Sequence, residues 1–192
     1  MTNELEKYIK SYFGVVQLDE LKEISSLFKV TTIKKGEFFL KTGKQSNKLS
    51  FIQSGLLRMF VTTEEKEITQ WISSKGSFVV DLSSFVFETP ARYTIQALVD
   101  TKLYTIDKED YNRIGTLISN WNRLEKLFIV RCFSMMEDRI LSHLSMTAEE
   151  RYNLFFESNR ELFNQVPLQY IASILGMTPE TFSRIRKKQL LQ

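Results

Sequence analysis

A chain of 192 residues, 43% hydrophobic and 26% charged, can bury a core and has no apolar run long enough to span a bilayer or form a signal peptide, so a cytoplasmic protein is expected. A net charge of +3 is too small to point to a nucleic-acid partner by itself, and 3 prolines and 7 glycines leave no long linker. One cysteine, Cys132, and one histidine, His143, exclude an intrachain disulfide framework, an iron–sulfur cluster and a metal centre that needs clustered histidines.

The N-terminal MTNELEKYIKSYFG alternates charged and apolar residues at helical spacing. From about Phe28 to Asp107 the chain turns to short runs rich in β-branched and aromatic residues: FKVTTIKKG, EFFLKTG, KLSFIQSG, LLRMFVTT, KEITQWISSKG, RYTIQALVD and TKLYTID. Glycine, asparagine or charged pairs punctuate them. Seven or eight strands without helices between them predict a sandwich or jelly roll, not a parallel α/β sheet.

Near Ile106 the period changes. EDYNRIGTLISNWNRLEKLFIVRCFSMMEDRILSHLSM has no proline and one glycine, and reads as helix for most of its length. Its middle, LFIVRCFSMM from Leu127 to Met136, is apolar on nearly every side, so one flank can pack on the strands while the other needs a second cover. The same helix of a second copy supplies that cover in an isologous homodimer. Leu124, Leu127, Phe128, Arg131 and Met135 are the predicted interface; the alternative is a central core helix of a monomer. His143 reads as a surface or partly buried histidine, about three turns from Cys132 and out of its reach. AEERYNLFFESNRELFNQ then reads as another amphipathic helix. The order, β-rich first and helical afterwards, predicts an α+β chain: residues 1–115 as a sensor-like body, 116–145 as dimerisation helix and hinge, 146–192 as a terminal helical domain.

The closing PLQYIASILGMTPETFSRIRKK carries the most chemistry. Ile171, Ile174 and Leu175 share one helical face beside the small Ala172. Gly176 suits the left-handed residue that ends a helix, Thr178 suits an N-cap, and Pro179 suits the first helical position. In the second helix Phe182 and Ile185 point inward, opposite Glu180, Ser183, Arg184 and Lys187. The pattern predicts a helix-turn-helix whose second helix enters the major groove of double-stranded DNA. Arg184 has the planar fork to read a guanine, Glu180 can accept from a cytosine amine, and Arg186, Lys187 and Lys188 suit phosphates. The full DNA-facing set adds Gln169, Thr178, Thr181 and Ser183. The rival reading is a module whose helical tail binds a partner protein. A cupin-type enzyme would need clustered histidines, so the chain is read as no enzyme.

A jelly roll, a long helix and a terminal helix-turn-helix resemble, in that order, the CRP/FNR family of bacterial transcription regulators, with IASILGMTPETFSRI similar to the family's recognition motif. The resemblance implies an N-terminal β-roll of the cyclic-nucleotide-binding type, a homodimer, RNA polymerase as a partner, and base reading by Glu180 and Arg184. The arginine that commonly precedes the glutamate is Pro179 here, and the family's two-stranded wing is expected to be absent or vestigial after the recognition helix. GSFVVDLSSFVFETPARYTIQAL, from Gly76 to Leu98, is similar in outline to the family's phosphate cassette. Asp81 stands in the glutamate position, Val80 in the glycine position and Ala91 in the arginine position, with Arg92 one residue on. Alternate strand residues face opposite ways, so Arg92 leaves such a pocket unless the strand is bulged. Cyclic nucleotide as effector, another small molecule among Asp81, Leu82, Ser83, Ser84, Arg92 and Tyr93, and a β-roll without ligand all stay open. No metal is expected.

Overall fold

The computed structural model describes residues 3–14 and 17–189. Two helices, α1 (Glu4–Phe13) and α2 (Leu18–Ser26), precede the strands β1 (Lys29–Ile33), β2 (Phe38–Leu40), β3 (Lys48–Ser54), β4 (Leu57–Thr62), β5 (Glu67–Ser73), β6 (Phe78–Val79), β7 (Thr94–Ala97) and β8 (Thr101–Asp107). A short helix, α3 (Leu82–Phe87), lies between β6 and β7. Helices follow to the end: α4 (Lys108–Leu117), α5 (Trp121–Ser145), α6 (Ala148–Ser158), α7 (Leu162–Gln165), α8 (Leu168–Ile174) and α9 (Pro179–Gln189). The expected β-then-α order holds, and α2 and β6 are additions that short, weakly periodic segments did not announce.

The strands form two four-stranded sheets in the orders β1-β8-β3-β6 and β2-β7-β4-β5, the antiparallel sandwich that the strand pattern predicts. Between the sheets lie Leu40, Ile52, Leu57, Val79, Ile95 and Leu103, all buried. Across the first sheet, the hydroxyls of exposed Thr31 and buried Ser50 meet that of buried Thr105 at 2.7 and 2.8 Å, so the buried hydroxyls are satisfied. Gly55, at φ +104°, is required twice: its backbone is left-handed, and a Cβ there would lie 2.7 Å from the Thr101 Cα.

The long C-terminal helix expected from one continuous apolar period is two helices. Ile118 turns extended at φ −116° and ψ 109°, which buries both Ile118 and Trp121, and α5 starts afresh at Trp121. The next predicted helix is also split, at Asn159, into α6 and α7. Thr147 opens α6 with a reciprocal capping box to Glu150, whose carboxyl the Thr147 backbone N–H and hydroxyl hold below its usual range.

The chain divides into two compact units, Met1–Met59 with Ile72–Phe133, and Phe60–Trp71 with Ser134–Gln192. The first unit has a second core in which α1, α2, α4 and the first part of α5 cover β3. Phe13 stacks on Phe128 at 4.7 Å and lies 5.0 Å from Trp121. The second unit centres on Tyr152, Phe163 and Phe182, whose ring centroids lie 5.3 to 6.0 Å apart. It takes in the outer part of the β4–β5 hairpin as well as the terminal helices.

Candidate functional site

The pair α8 and α9 forms as its local signals predict. Gly176 takes φ +66°, and a Cβ there would crowd the His143 ring at 3.4 Å. Thr178 caps α9, its hydroxyl oxygen accepting from the Thr181 backbone N–H at 3.2 Å, and Pro179 is the first helical residue. Ile171, Ala172, Ile174, Phe182 and Ile185 are buried, so the two helices share one apolar interior.

The end of α8 is fastened by two arginines that sequence reasoning passed over. Arg139 Nη2 donates to the Ile174 carbonyl at 3.1 Å, and Arg151 Nε donates to the Leu175 carbonyl at 3.1 Å. Helix C-termini leave such carbonyls without partners, and cations suit that end of the dipole. Arg139 also donates to the Gln70 carbonyl, and its guanidinium lies 5.5 Å from the Trp71 ring centroid. Beside it the Thr69 backbone N–H donates to Ser173 Oγ at 2.8 Å.

Of the predicted DNA-facing residues, Gln169, Glu180, Ser183, Arg184 and Lys187 are exposed and hold no side-chain partner among the described residues. Thr178 and Thr181 are committed to the cap. Arg186 is half-buried. Lys188 differs from its expectation as a free phosphate ligand: its ammonium donates to both Glu149 oxygens at 2.9 Å, and Gln189 joins the same carboxylate at 3.3 Å. An exposed pair of this kind is worth about 0–1 kcal/mol, so a phosphate can displace it. The expected absence of a wing concerns residues after Gln189, outside the described residues.

In the strand-rich unit, α3 and its flanking loop are closed on themselves. Asp81 is buried and caps α3: one carboxylate oxygen accepts from the Ser84 N–H and the other from the Arg92 N–H, both at 3.1 Å. Ser84, also buried, donates to the Thr89 carbonyl at 2.6 Å and accepts from the Ser46 N–H at 2.9 Å. Asp81 and Ser84 are thus structural, which corrects their expected place as ligand groups. Leu82, Ser83 and Tyr93 are half-buried. Arg92 is exposed, with its guanidinium 5.5 Å from the Tyr93 ring centroid.

The predicted dimer residues also separate. Leu124 (3% exposed) and Phe128 (1% exposed) belong to the core of their own chain, which corrects their assignment to an interface. Leu127, Arg131 and Met135 are exposed, as an interface would require. An i to i+4 pair such as Leu124 and Phe128 marks one stripe of α5, and the β-roll side claims it. Cys132 sits between the stripes, and burial pushes its thiol up to about 11, so little of it is the reactive thiolate at neutral pH.

Residues 30–115 match the family described as cyclic nucleotide-binding domain. FixK2 from Bradyrhizobium japonicum aligns over 86% of this chain and 85% of its own, at 17% identity and a TM-score of 0.70. The global regulator CLP of Xanthomonas campestris aligns over 91% and 92%, at 13% identity and a TM-score of 0.64. The Catabolite Activator Protein of Thermus thermophilus aligns over 92% and 85%, at 19% identity and a TM-score of 0.59. The chain has the fold of these regulators. The matched domain nevertheless departs from a nucleotide-binding cassette. Val80 and Ala91 are buried in the two cores, and the one nearby arginine faces solvent. An anionic phosphate held there would lack the inward arginine that such a cassette uses. The residues do not fit a cyclic nucleotide. The β-sandwich carries a fully buried arginine on β4, Arg58, which an alternating strand pattern hid from sequence reasoning.

Proposed function

We propose that this chain is a homodimeric transcription regulator that binds double-stranded DNA through α9. The observation that carries the reading is the division of that helix. Phe182 and Ile185 anchor one side, while Glu180, Ser183, Arg184 and Lys187 stand in solvent on the other. A helix anchored this way, next to a tight turn, fits a major groove about 12 Å wide. Arg184 reads a base, Glu180 sharpens choice by accepting from cytosine and repelling phosphate, and Arg186 and Lys187 hold the backbone.

Two such helices from a two-fold dimer read half-sites about 34 Å apart. The dimer forms along α5, where Leu127, Val130, Phe133, Ile140, Leu141 and Leu144 remain exposed. Apolar side chains in that number on one helix are normally covered. As functional segments, residues 1–115 carry the β-roll, 116–145 join the two copies, and 146–192 bind DNA. The regulator works in the cytoplasm at promoters, with RNA polymerase as its partner, and performs no catalysis.

The test is binding of the purified chain to duplex DNA across a salt series. Phosphate neutralisation makes log affinity fall linearly with log salt. A tail that binds only protein shows no duplex affinity even at low ionic strength, and that result ends the proposal. Calorimetric titration with cyclic AMP should give no saturable micromolar binding, because Ala91 stands where the cassette needs an arginine and Arg92 is exposed. Saturable binding would restore cyclic nucleotide as an effector.

A further inference from the structure

The second unit joins a piece of the strand hairpin, Phe60–Trp71, to the helices of Ser134–Gln192. The join is polar and specific. The Arg139 guanidinium donates to the Gln70 carbonyl on β5 and, at 3.1 Å, to the Ile174 carbonyl that ends α8. It also lies 5.5 Å from the Trp71 ring centroid. The N–H of Thr69, a residue 1% exposed, donates to Ser173 Oγ on α8 at 2.8 Å. Thr69, Gln70 and Trp71 thus each meet α8 directly or through one arginine. A guanidinium is a rigid plane, so donors shared between two carbonyls fix the separation of β5 and α8. A lysine ammonium, a point charge on a flexible stem, does not.

Two further observations give the join a sense. None of its contacts uses Glu180, Ser183, Arg184 or Lys187, which stand exposed on α9, so the closed join leaves the reading side free. The hold is also slight. Trp71 is 36% exposed, and Gln70 Oε1 is buried with no hydrogen-bond partner, a costly arrangement that few folded proteins keep. A hold with so little surplus opens more readily than the apolar interior shared by α8 and α9.

We propose that the outer part of the β4–β5 hairpin is a latch on the α8–α9 pair, with Arg139 as the positioning residue that sets α9 for base reading. The inference rests on the DNA-binding reading and deepens it. A signal that shifts β5 reaches the recognition helix through the Arg139 guanidinium, with no need to touch DNA.

The test pairs hydrogen exchange of residues 168–178 with duplex affinity, in the full chain. The probes are a duplex that the parent chain selects from a random-sequence pool and a scrambled duplex of equal length. Arg139→Ala should speed exchange at the end of α8 and weaken the selected duplex about ten-fold, the loss of a hydrogen bond from a charged donor. Affinity for the scrambled duplex and the salt slope should not move, because no phosphate contact is lost. Arg139→Lys should behave like Arg139→Ala. Trp71→Ala should weaken the selected duplex about two- to five-fold in the parent and add almost nothing to Arg139→Ala, since the ring acts through the guanidinium. Unchanged exchange, equal losses on both duplexes with a shallower salt slope, or additive effects of the two changes would each overturn the latch. A parent chain that selects no duplex ends the DNA-binding reading and this role with it. A parent that selects one while Arg139→Ala binds it equally well ends the latch alone.

Discussion

At α3 the buried polar groups are spent inside the fold: Asp81 on two backbone N–H groups, Ser84 on a carbonyl and an N–H. At α9 the same kinds of group stand unspent, with Glu180, Ser183, Arg184 and Lys187 exposed along one side. Both segments begin with a capped helix, and both carry an arginine near an acidic residue. The difference lies in what holds each helix in place. α3 has six residues, is anchored by Phe85 with Leu82 beside it, and draws its polar groups inward as further fastening. α9 is anchored by Phe182 and Ile185 and by its junction with α8, which leaves its polar side free for a partner.

The largest test of that contrast removes the anchor. Phe182→Ala should cost about 3–5 kcal/mol, measured by denaturant unfolding, and should abolish DNA binding by unmooring α9. If the variant unfolds like the parent, packing does not hold α9. Next comes Asp81→Ala, which strips two N–H groups of their acceptor at about 1–3 kcal/mol each. Urea unfolding should show that loss, whereas DNA affinity of the folded fraction should not move. Arg184→Ala should leave unfolding unchanged and relax selection at one base pair by about 1–3 kcal/mol, read by competition among site variants. The smallest effect belongs to Glu149→Gln. Releasing Lys188 should raise DNA affinity by less than about 1 kcal/mol and steepen the salt dependence by about one phosphate contact. A flat response there would mean that Lys188 stays out of reach of DNA.

The site at α8 and α9 was legible because its signals are local. A left-handed turn selects Gly176, a cap selects Thr178, and a first helical turn tolerates Pro179, whatever the rest of the chain does. The strand count and the change of period near Ile106 were legible for the same reason. Four other features were not: the break at Ile118, the split at Asn159, the hairpin's place in the second unit, and the two arginines that fasten α8. Each depends on partners far along the chain. Arg139 is followed to Gln70 and Ile174 only when β5 and α8 are brought beside it.

The sequence alone settled that a β-rich body precedes a helical tail, and that the tail ends in a capped, basic, one-sided helix, because alternation, helical period and turn chemistry act over a few residues. Only the tertiary structure decided which stripe of α5 is inside and where Arg92 points. LFIVRCFSMM is apolar all round, so its period names no inner face until Phe13 and Trp121 close over Phe128. Arg92 lies in the loop before β7, where its backbone N–H goes to Asp81 and its guanidinium stands exposed beside the Tyr93 ring.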